Sequence, residues 1–290
     1  MPGSVKTAPE RPRWCLVTGA STGIGRACVD RLVAAGWRLY ASVRQSAHAA
    51  ALTAAHGDRV IPLVFDLTDL AAIETAGARI RAERGEGGLQ GVVNNAGIAV
   101  AGPLEFLPPA ELRHQLEVNV VGQVAVAQSV LPALRTGRGR IILMGSISGR
   151  SAMPFTGAYA ASKFALEAIA DSWRIELAPW QLPVVMVEPG VIATPIWETA
   201  ARHATRVLDA LPPQLQEYYG RALEAMRRRA ARGMGGLPPT AVAEVVERAL
   251  TARRPRARYV VGRDAKTRVW LQRLPTRLRD RLVLEGVKRL

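Results

Sequence analysis

A tyrosine and a lysine lie four residues apart in the segment "YAASK", residues 159 to 163, which has the pattern of a helix. Positions i and i+4 share one helical face, so the ammonium of Lys163 can stand beside the phenol of Tyr159. A free tyrosine has a pKa of about 10 and exchanges protons poorly near pH 7. A neighbouring buried cation stabilises the phenolate, so the spacing predicts a group that acts as an acid and a base.

Two serines precede this pair in the segment "MGSISG", residues 144 to 149. Ser146 lies thirteen residues before Tyr159 and follows an apolar run typical of a strand, and Ser148 is a second hydroxyl nearby. An isolated tyrosine with a lysine four residues later is more often a packed ring and a solvated amine. The elements that position these side chains therefore decide between the two interpretations.

Apolar runs rich in β-branched residues alternate along the chain with helical patterns. The runs show little polar alternation, and strands that are apolar on both faces belong inside a parallel sheet covered by helices on each side. The alternation predicts an α/β fold with a doubly wound parallel seven-stranded sheet and right-handed crossovers. The predicted strands are residues 14–19, 38–44, 59–67, 89–97, 139–148, 182–190 and 257–262, and the predicted helices are residues 23–35, 46–56, 69–84, 109–135, 157–180 and 239–253.

The first predicted strand runs into a glycine-rich turn, "TGASTGIG", residues 18 to 25, and then into a helix. Missing side chains let the backbone approach a pyrophosphate, and the N–H groups at the start of the helix face the anion. A structural turn is the competing interpretation, but the position after a buried first strand favours a dinucleotide site. The candidate cofactor-binding residues here are Gly19, Ser21, Thr22, Gly23, Ile24 and Gly25.

The end of the second strand indicates which dinucleotide binds. A carboxylate there would bond the ribose 2′-hydroxyl of NAD, whereas an arginine suits the 2′-phosphate of NADP. Val43 occupies the acidic position and Arg44 follows it. With Ser21 and Thr22 as further donors, this favours NADP(H). The alternative is that Arg44 is a solvated residue at a strand end.

Six motifs, in order and with matching spacing, carry a resemblance to the short-chain dehydrogenase/reductase family over about residues 14–194. The resemblance implies a single Rossmann-type domain over residues 1–290, with helices on both faces of the sheet. The segment "LYASVR" and the long region after the sixth strand are similar to members that act on steroids and retinoids. The six motifs are "TGASTGIG" (18–25), "NNAG" (94–97), "NVVG" (119–122), "GSISG" (145–149), "YAASK" (159–163) and "PGVIAT" (189–194).

The resemblance implies hydride transfer between NADP(H) and a carbonyl or alcohol. Ser146 would hold the substrate oxygen against Tyr159, which exchanges the proton. Lys163 would activate the phenol and bond the nicotinamide ribose, and Asn119 would hold a water in a proton relay. The implied catalytic residues are Asn119, Ser146, Tyr159 and Lys163, and further implied cofactor-binding residues are Asp66, Leu67, Asn95, Ala96, Gly97, Pro189, Gly190, Ile192 and Thr194.

Several of these residues have simpler alternatives. Asn95 is expected to approach the adenosine ribose, but it could merely close the fourth strand. Asp66 could cap the following helix instead of contacting adenine. Thr194 is expected to anchor the nicotinamide carboxamide, with a simple turn as the competing account.

Residues 191–238 contain no strand pattern and form a predicted helical insertion at the carboxyl edge of the sheet. Ligands bind at that edge in open α/β sheets, so the insertion is placed to act as a lid over a lipophilic substrate. Residues 1–12 are expected to form a disordered tail. The lid candidates are Ile192, Ile196, Trp197, Leu208, Leu211, Tyr218, Tyr219, Leu223 and Met226, with Met153, Phe155 and Trp180 as further candidates.

The net charge of +15 is concentrated at the C-terminus, since residues 201–290 hold 21 Lys+Arg against 8 Asp+Glu. Residues 263–290 read as a basic amphipathic helix pair broken at Pro275. Its arginines, among them Arg268, Arg273, Arg277 and Arg281, could face anionic lipid. Alternatively the leucines pack against the domain or a partner subunit and leave the arginines in water. No nucleic-acid reading motif accompanies the charge, so no nucleic-acid partner is expected.

Other features narrow the class of protein. Cys15 and Cys28 lack metal or disulfide spacing and are expected to be buried thiols. The four histidines show no ligand pattern, so no metal is predicted. No apolar run spans a bilayer and no secretory signal is recognisable, which predicts a cytoplasmic protein, with the tail as a route to peripheral membrane contact. The resemblance suggests a homodimer or homotetramer, with residues 157–180 as an interface.

Three functions remain open on the sequence. The intact set of four catalytic candidates favours an enzyme that acts on a hydrophobic carbonyl or alcohol. A non-catalytic NADPH-binding regulatory scaffold would bind the cofactor without turnover. A 3-oxoacyl thioester reductase is the third reading, although such family members are typically shorter and lack this tail.

Overall fold

The computed structural model describes residues 12–209, 214, 217–220, 224 and 235–288. The predicted tail over residues 1–12 lies, apart from residue 12, outside the described residues. Seven strands form one sheet. Their bounds are β1 Trp14–Val17, β2 Arg38–Val43, β3 Val60–Val64, β4 Gly91–Asn94, β5 Ile141–Met144, β6 Val184–Pro189 and β7 Arg258–Val261.

The seven predicted strands are confirmed, and their order in the sheet is β3-β2-β1-β4-β5-β6-β7, with every pairing parallel. All residues of β1, β4, β5 and β6 are buried, as the unbroken apolar runs require. The order changes direction between β1 and β4. A crevice at the carboxyl ends of the strands is expected at such a switch point, and the glycine turn lies there.

Helices cover both faces of the sheet. The bounds are α1 Gly23–Ala34, α2 Ser46–His56, α3 Leu70–Arg84, α4 Pro109–Leu116, α5 Gln123–Gly137, α6 Gly157–Glu176, α7 Ile196–Asp209, α8 Pro239–Thr251, α9 Arg263–Leu271 and α10 Thr276–Lys288. One apolar cluster joins the sheet to α1 and α8 and contains Cys15 and Cys28, which are buried free thiols as expected. The other cluster joins the sheet to α3, α5 and α6.

The predicted helical stretch over residues 109–135 is present, but it is not a single regular α-helix. A π-helical segment, Glu117–Gly122, separates α4 from α5. Gly122 ends this segment where a Cβ would collide with the carbonyl oxygen of Leu67, so the backbones approach closely. The apolar spacing of the sequence does not register such a change, because a single wider turn leaves the helical pattern almost intact.

The ends of the predicted lid are joined at the sheet edge. Ile192 and Leu237 form an isolated parallel bridge, which brings both ends of residues 191–238 together. α7 occupies the first part, while residues 210–213 and most positions from 215 to 234 lie outside the described residues. Whether the segment acts as a lid stays a prediction.

The C-terminal helix pair α9 and α10 is separated at Pro275 as predicted, and its contact with lipid or with a partner subunit stays a prediction. Arg268 points inward and bonds Ser151. Leu278, Leu282 and Leu284 are instead exposed by 47%, 46% and 55%. Within the part of the chain that the structure describes, no helix has the length and apolar character needed to cross a membrane.

Candidate active site

The glycine turn is built against the end of β4. Gly19 has a positive φ of +65°, and a Cβ there would lie 2.8 Å from the Cα of Ala96. The hydroxyl oxygen of Thr18 accepts from the backbone N–H groups of Asn95 and Ala96, both at 3.0 Å. The side-chain amide of Asn95 donates to the carbonyl oxygens of Thr18 at 2.9 Å and Gly19 at 3.3 Å.

These bonds give Asn95 a structural role that the sequence left open. Its amide ties the turn to the neighbouring strand, as the simpler alternative holds, and its approach to an adenosine ribose stays a prediction. Thr18 was not identified from the sequence. A hydroxyl directly before the first glycine of the turn was the available signal.

The carboxyl ends of the strands open into a cleft of about 450 Å³ that collects most of the predicted residues. Gly25 and Asn119 are the exceptions and lie behind its wall. Gly25 packs under the turn, where a Cβ would collide with the carbonyl oxygen of Gly19. The predicted residues that line the cleft are Gly19, Ser21, Thr22, Gly23, Ile24, Arg44, Asp66, Leu67, Asn95, Ala96, Gly97, Ser146, Tyr159, Lys163, Pro189, Gly190, Ile192 and Thr194.

Arg44 and Asp66 stand at the end of the cleft formed by β2 and β3. Burial raises the pKa of Asp66, but hydrogen bonds from Thr68 and the charges of Arg44 and His114 outweigh it and leave the pKa below its usual value. Asp66 accepts from the backbone N–H of Thr68 at 2.9 Å and from its hydroxyl at 2.8 Å. Asp69, not Asp66, caps α3 by accepting from the N–H of Ala72. His114 also lines the cleft and was missed from the sequence.

Tyr159 and Lys163 lie on one face of α6, as the spacing predicted. Both are buried, with exposures of 6% and 4%. The Nζ of Lys163 lies 5.7 Å from the centre of the tyrosine ring and donates to the carbonyl oxygen of Met144 at 2.7 Å. The Ser146 side chain is hydrogen-bonded to that of Tyr159. The phenol, hydroxyl and ammonium therefore converge at the end of β5.

The pKa of Tyr159 is raised in the chain by itself, whereas the spacing to Lys163 predicts a lowered one. Burial raises the pKa of Tyr159, while the hydrogen bond with Ser146 and the charge of Arg268 lower it in part. Burial also lowers the pKa of Lys163 to about 8, so its ammonium is itself destabilised. In the chain by itself, burial of the phenolate therefore raises the pKa of Tyr159 by more than the surrounding groups lower it. That Lys163 together with an oxidised nicotinamide lowers this pKa stays a prediction.

Asn119 is held in a buried polar network behind the cleft. Its side-chain oxygen accepts from the N–H of Ile98 at 2.8 Å, and its amide donates to the carbonyl oxygen of Ile98 at 3.0 Å and to the hydroxyl of Ser162 at 3.1 Å. Gln115 accepts from the N–H of Val100 at 2.7 Å. Ser162 donates to the carbonyl oxygen of Tyr159 at 2.7 Å. The π-helical segment thus holds the loop after β4 against α6.

The sequence missed Gln115 and Ser162, although the signal was present. Gln115 precedes Asn119 by four residues and so shares its helical face, and Ser162 lies inside the segment "YAASK". Both are fully buried. The water relay expected at Asn119 stays a prediction.

The loop after β6 is held by the C-terminal helix α9. Asp264 accepts from the N–H of Val191 at 2.8 Å, and a Cβ at Gly190 would collide with its carboxylate. Farther along the loop, Thr194 packs on the glycine turn, where a Cβ at Gly23 would lie 3.1 Å from its methyl group. The loop after β6 therefore reaches the glycine turn through Thr194.

The wall beyond Tyr159 is apolar. Trp197 makes an edge-to-face contact with the Tyr159 ring at 5.6 Å, and Ile196 and Ala200 of α7 belong to the same cluster with Ala99. The proposal of Trp180 as a site residue is wrong, because its ring stacks under Arg135 at 4.5 Å outside the cleft lining. The candidates Leu211, Leu223 and Met226 lie outside the described residues, as does the side chain of Leu208.

Comparison with known proteins shows similarity along most of the chain. A family model described as short chain dehydrogenase matches residues 13–205. The NADPH-dependent 3-dehydrocapnine reductase of Ornithobacterium rhinotracheale is 34% identical over 284 residues, covering 96% of this chain and 98% of that protein. Retinol dehydrogenase 5 of Mus musculus is 34% identical over 284 residues, covering 95% and 89%. A solved short-chain dehydrogenase from Streptomyces avermitilis has a TM-score of 0.76 at 28% identity, covering 97% and 98%.

Proposed function

The chain belongs to the short-chain dehydrogenase/reductase family, and from this premise we propose that it is an NADP(H)-dependent oxidoreductase that interconverts a lipophilic ketone or aldehyde with its alcohol. The observation that carries the proposal is the convergence of Ser146, Tyr159 and Lys163 in a cleft that also contains the glycine turn and Arg44. The cleft joins a dinucleotide cradle to a proton-exchange group.

The residues present fit a dinucleotide. A Cβ at Gly19 would strike Ala96 across the turn, and Gly23 has a φ of +56° beside Thr194, so the backbone is bare where a pyrophosphate would approach. When bound, the nicotinamide donates or accepts hydride at the carbonyl carbon. Lys163 and Tyr159 would stand near its ribose, and Thr194 near its carboxamide.

The chain's own residues would handle the proton. Ser146 donates a hydrogen bond to the substrate oxygen and holds it at the Tyr159 hydroxyl. In reduction, the phenol gives its proton to that oxygen as the carbonyl carbon receives hydride, which leaves a phenolate. Lys163 and Arg268 stabilise the phenolate until a solvent proton replaces the one transferred. In oxidation the phenolate accepts the alcohol proton and the steps reverse.

NADP(H) is favoured over NAD(H) by the absence of a carboxylate at the end of β2 and the presence of Arg44 in the cleft. A 34% identical relative is named as an NADPH-dependent reductase. The lipophilic substrate class rests on the apolar wall formed by Trp197, Ile196 and Ala200 beside Tyr159. Retinol dehydrogenase 5, also 34% identical, supports the same class.

A substrate screen tests the proposal. Purified chain is given NADPH with lipophilic ketones and aldehydes, then NADP⁺ with the matching alcohols, and 3-oxoacyl thioesters form a separate arm. We expect turnover with at least one lipophilic ketone or aldehyde and a loss of about 10³-fold or more in Tyr159→Phe. NADPH binding without any turnover would support a non-catalytic regulatory scaffold, and turnover confined to thioesters would support a 3-oxoacyl thioester reductase.

We also propose that α10 contacts an anionic membrane surface. The exposed Leu278 and Leu282 lie four residues apart and share one helical face, with the exposed Arg277 and Arg281 on a different side, which is the pattern of an interfacial helix. Sedimentation with anionic vesicles should bind the chain at low salt and release it at high salt. Failure to bind, with self-association in analytical ultracentrifugation, would assign this face to a homodimer or homotetramer instead.

A further inference from the structure

Arg268 of α9 is inserted between the C-terminal helix and the loop that carries Ser146. Its guanidinium donates to the carbonyl oxygen of Ser151 through Nη2 and to the Ser151 hydroxyl through Nε at 3.4 Å. Ser151 is buried with an exposure of 5% and follows Ser146 by five residues. The guanidinium is therefore anchored to the loop that bears the substrate-binding hydroxyl.

The same helix is fixed at its other end to the second loop of the cleft. Asp264 lies one turn before Arg268 and accepts from the N–H of Val191 at 2.8 Å. α9 thus bridges the loops after β5 and β6. Among the described residues, no carboxylate lies within ion-pair distance of Arg268, so the positive charge is not paired within the helix or the loop.

Three elements bring side chains against the phenol of Tyr159. α6 contributes Lys163, α7 contributes the uncharged ring of Trp197, and the loop after β5 contributes the hydroxyl of Ser146. The charge of Arg268 on α9 offsets part of the rise in the pKa of Tyr159 that burial causes, and the phenolate in turn acts to raise the pKa of Arg268. Asp264 is the one other charged group that acts on Arg268 among the described residues.

We propose that Arg268 is a positioning residue for proton exchange at Tyr159, which holds the loop of residues 146–151 through Ser151 and favours the phenolate with its charge. The proposal rests on the proposed function, since it assigns a role within that reaction. It also explains why this arginine of the basic C-terminal helix pair is turned inward. α9 then holds the loops after β5 and β6 and supplies a positive charge near Tyr159.

The main test replaces Arg268 by Gln, which keeps an amide donor for Ser151 and removes the charge. The pH dependence of kcat/KM for alcohol oxidation should move to higher pH by roughly half a unit to one unit, because less phenolate is present at a given pH. Arg268→Lys should restore the wild-type profile. The matched control is Lys266→Gln, which removes one exposed charge from the same helix and should leave the profile unchanged.

A second readout needs no substrate. The chain holds five tyrosines, so the ¹³C signal of each ring Cζ can be followed against pH and that of Tyr159 assigned with Tyr159→Phe. The ionisation-linked change of the Tyr159 signal should begin at higher pH in Arg268→Gln than in the wild type. Coincident curves would overturn the proposal even if a substrate had been found. A missing substrate with shifted curves would count against the proposed function and leave the role of Arg268 standing.

A purely structural role is also distinguishable. It predicts that Arg268→Lys and Arg268→Gln lower kcat alike and leave the pH profile in place, and this result would overturn the proposal. Ser151→Ala removes the hydroxyl partner but keeps the carbonyl partner and the guanidinium. It should lower kcat modestly, by about two- to fivefold, without moving the profile.

Discussion

At the scale of single residues, burial of the Lys163 ammonium lowers the free energy of unfolding, although the proposed chemistry requires this group. Its pKa is lowered to about 8 by burial, against an unfolded-state value of about 10.4. Between these values the unfolded chain binds more protons, so the free energy of unfolding rises with pH across that window, and below it the full cost applies. We expect Lys163→Met to raise the free energy of unfolding at pH 7 by about 1 to 2 kcal/mol in urea titrations. The variant removes the cost of about 3 kcal/mol of burying the ammonium, but it also leaves the Met144 carbonyl oxygen without its hydrogen bond.

The pH dependence separates this effect from a general gain in packing. The advantage of Lys163→Met over the wild type should shrink as the pH rises above about 8, because wild-type Lys163 then becomes neutral in the folded chain. Lys266→Met, at an exposed position, is the control and should show no advantage at any pH. A Lys163→Met chain that is less stable than the wild type at pH 7 would contradict this account.

Cofactor choice is also decided at a single residue. Arg44 is exposed in the cleft at the end of β2, and Arg44→Asp exchanges a guanidinium suited to a 2′-phosphate for a carboxylate suited to a 2′-hydroxyl. We expect the Kd for NADPH to rise by about ten- to a hundredfold while that for NADH holds or falls. Fluorescence titration with each cofactor measures this. Arg59→Asp makes the same charge change at an exposed position outside the cleft lining, and an equal effect there would refute the assignment.

At the scale of elements, one contact joins the segment between β6 and α8 to the loop before α4. Tyr219 donates its hydroxyl to Glu105 at 2.6 Å, and its ring meets Phe106 and Phe155 edge to face at 5.9 and 6.0 Å. Phe155 itself has a φ of +65°, a strained value for a bulky residue. The contact ties the segment between β6 and α8 to the loop before α4 and to Phe155, so it can hold the predicted lid in place.

Removal of this contact should expose the segment of residues 191–238 to protease. We expect Tyr219→Ala to raise the rate of tryptic cleavage within that segment by about three- to tenfold, since both an aromatic pair and a hydrogen bond to a carboxylate are lost. Peptide mapping by mass spectrometry locates the cleavage. The matched control is Tyr218→Ala, because that neighbouring ring is 67% exposed. Equal rates in the two variants would show that Tyr219 does not hold the segment.

The elements show where sequence reasoning succeeds and where it stops. The pairing of Tyr159 with Lys163 follows from helical spacing alone, and the buried strands follow from unbroken apolar runs. The π-helical segment does not follow, because one wider turn preserves the apolar pattern around Asn119. The pKa of Tyr159 could not be predicted either, since it depends on burial and on a cation contributed by α9, more than a hundred residues away.

At the scale of the whole molecule, some arginines near the C-terminus are exposed and others form bonds inside the domain, and the composition does not distinguish the two groups. The C-terminal excess of arginine suggested a solvated or lipid-facing surface, and Arg277 and Arg281 are exposed. Arg268 and Arg258 instead turn inward, one to the active-site loop and one to buried carboxylates. Only the packing of α9 and β7 on the rest of the domain distinguishes these arginines, so the sequence predicted the helices and the strand but not the partners of their side chains.

Arg258 of β7 joins the last strand to the body of the domain. It lies 3.0 Å from Glu167, 2.7 Å from Asp171 and 3.3 Å from Glu188, and the Glu188 side chain is fully buried. Burial and the charge of Glu188 raise the pKa of Glu167, so the two carboxylates already repel each other in the wild type. Arg150 reaches the other oxygen of Glu188 at 3.3 Å. Arg258 is therefore the cation shared by all three carboxylates.

Arg258→Met should lower the free energy of unfolding at pH 7 by about 3 to 5 kcal/mol, because it removes the cation paired with buried Glu167 and leaves buried Glu188 with Arg150 alone. The deficit should shrink toward pH 5. Loss of the cation raises the folded-state pKa of Glu167 further above its unfolded-state value. A carboxyl with a raised folded-state pKa contributes its full stability below the unfolded-state pKa and loses that contribution as the pH rises through the folded-state pKa. Urea unfolding at pH 5, 6 and 7 measures the trend against Arg256→Met, an exposed neighbour expected to change stability by less than about 0.5 kcal/mol. A deficit that is equal in both variants, or constant with pH, would mean that the charge cluster does not hold β7 on the sheet.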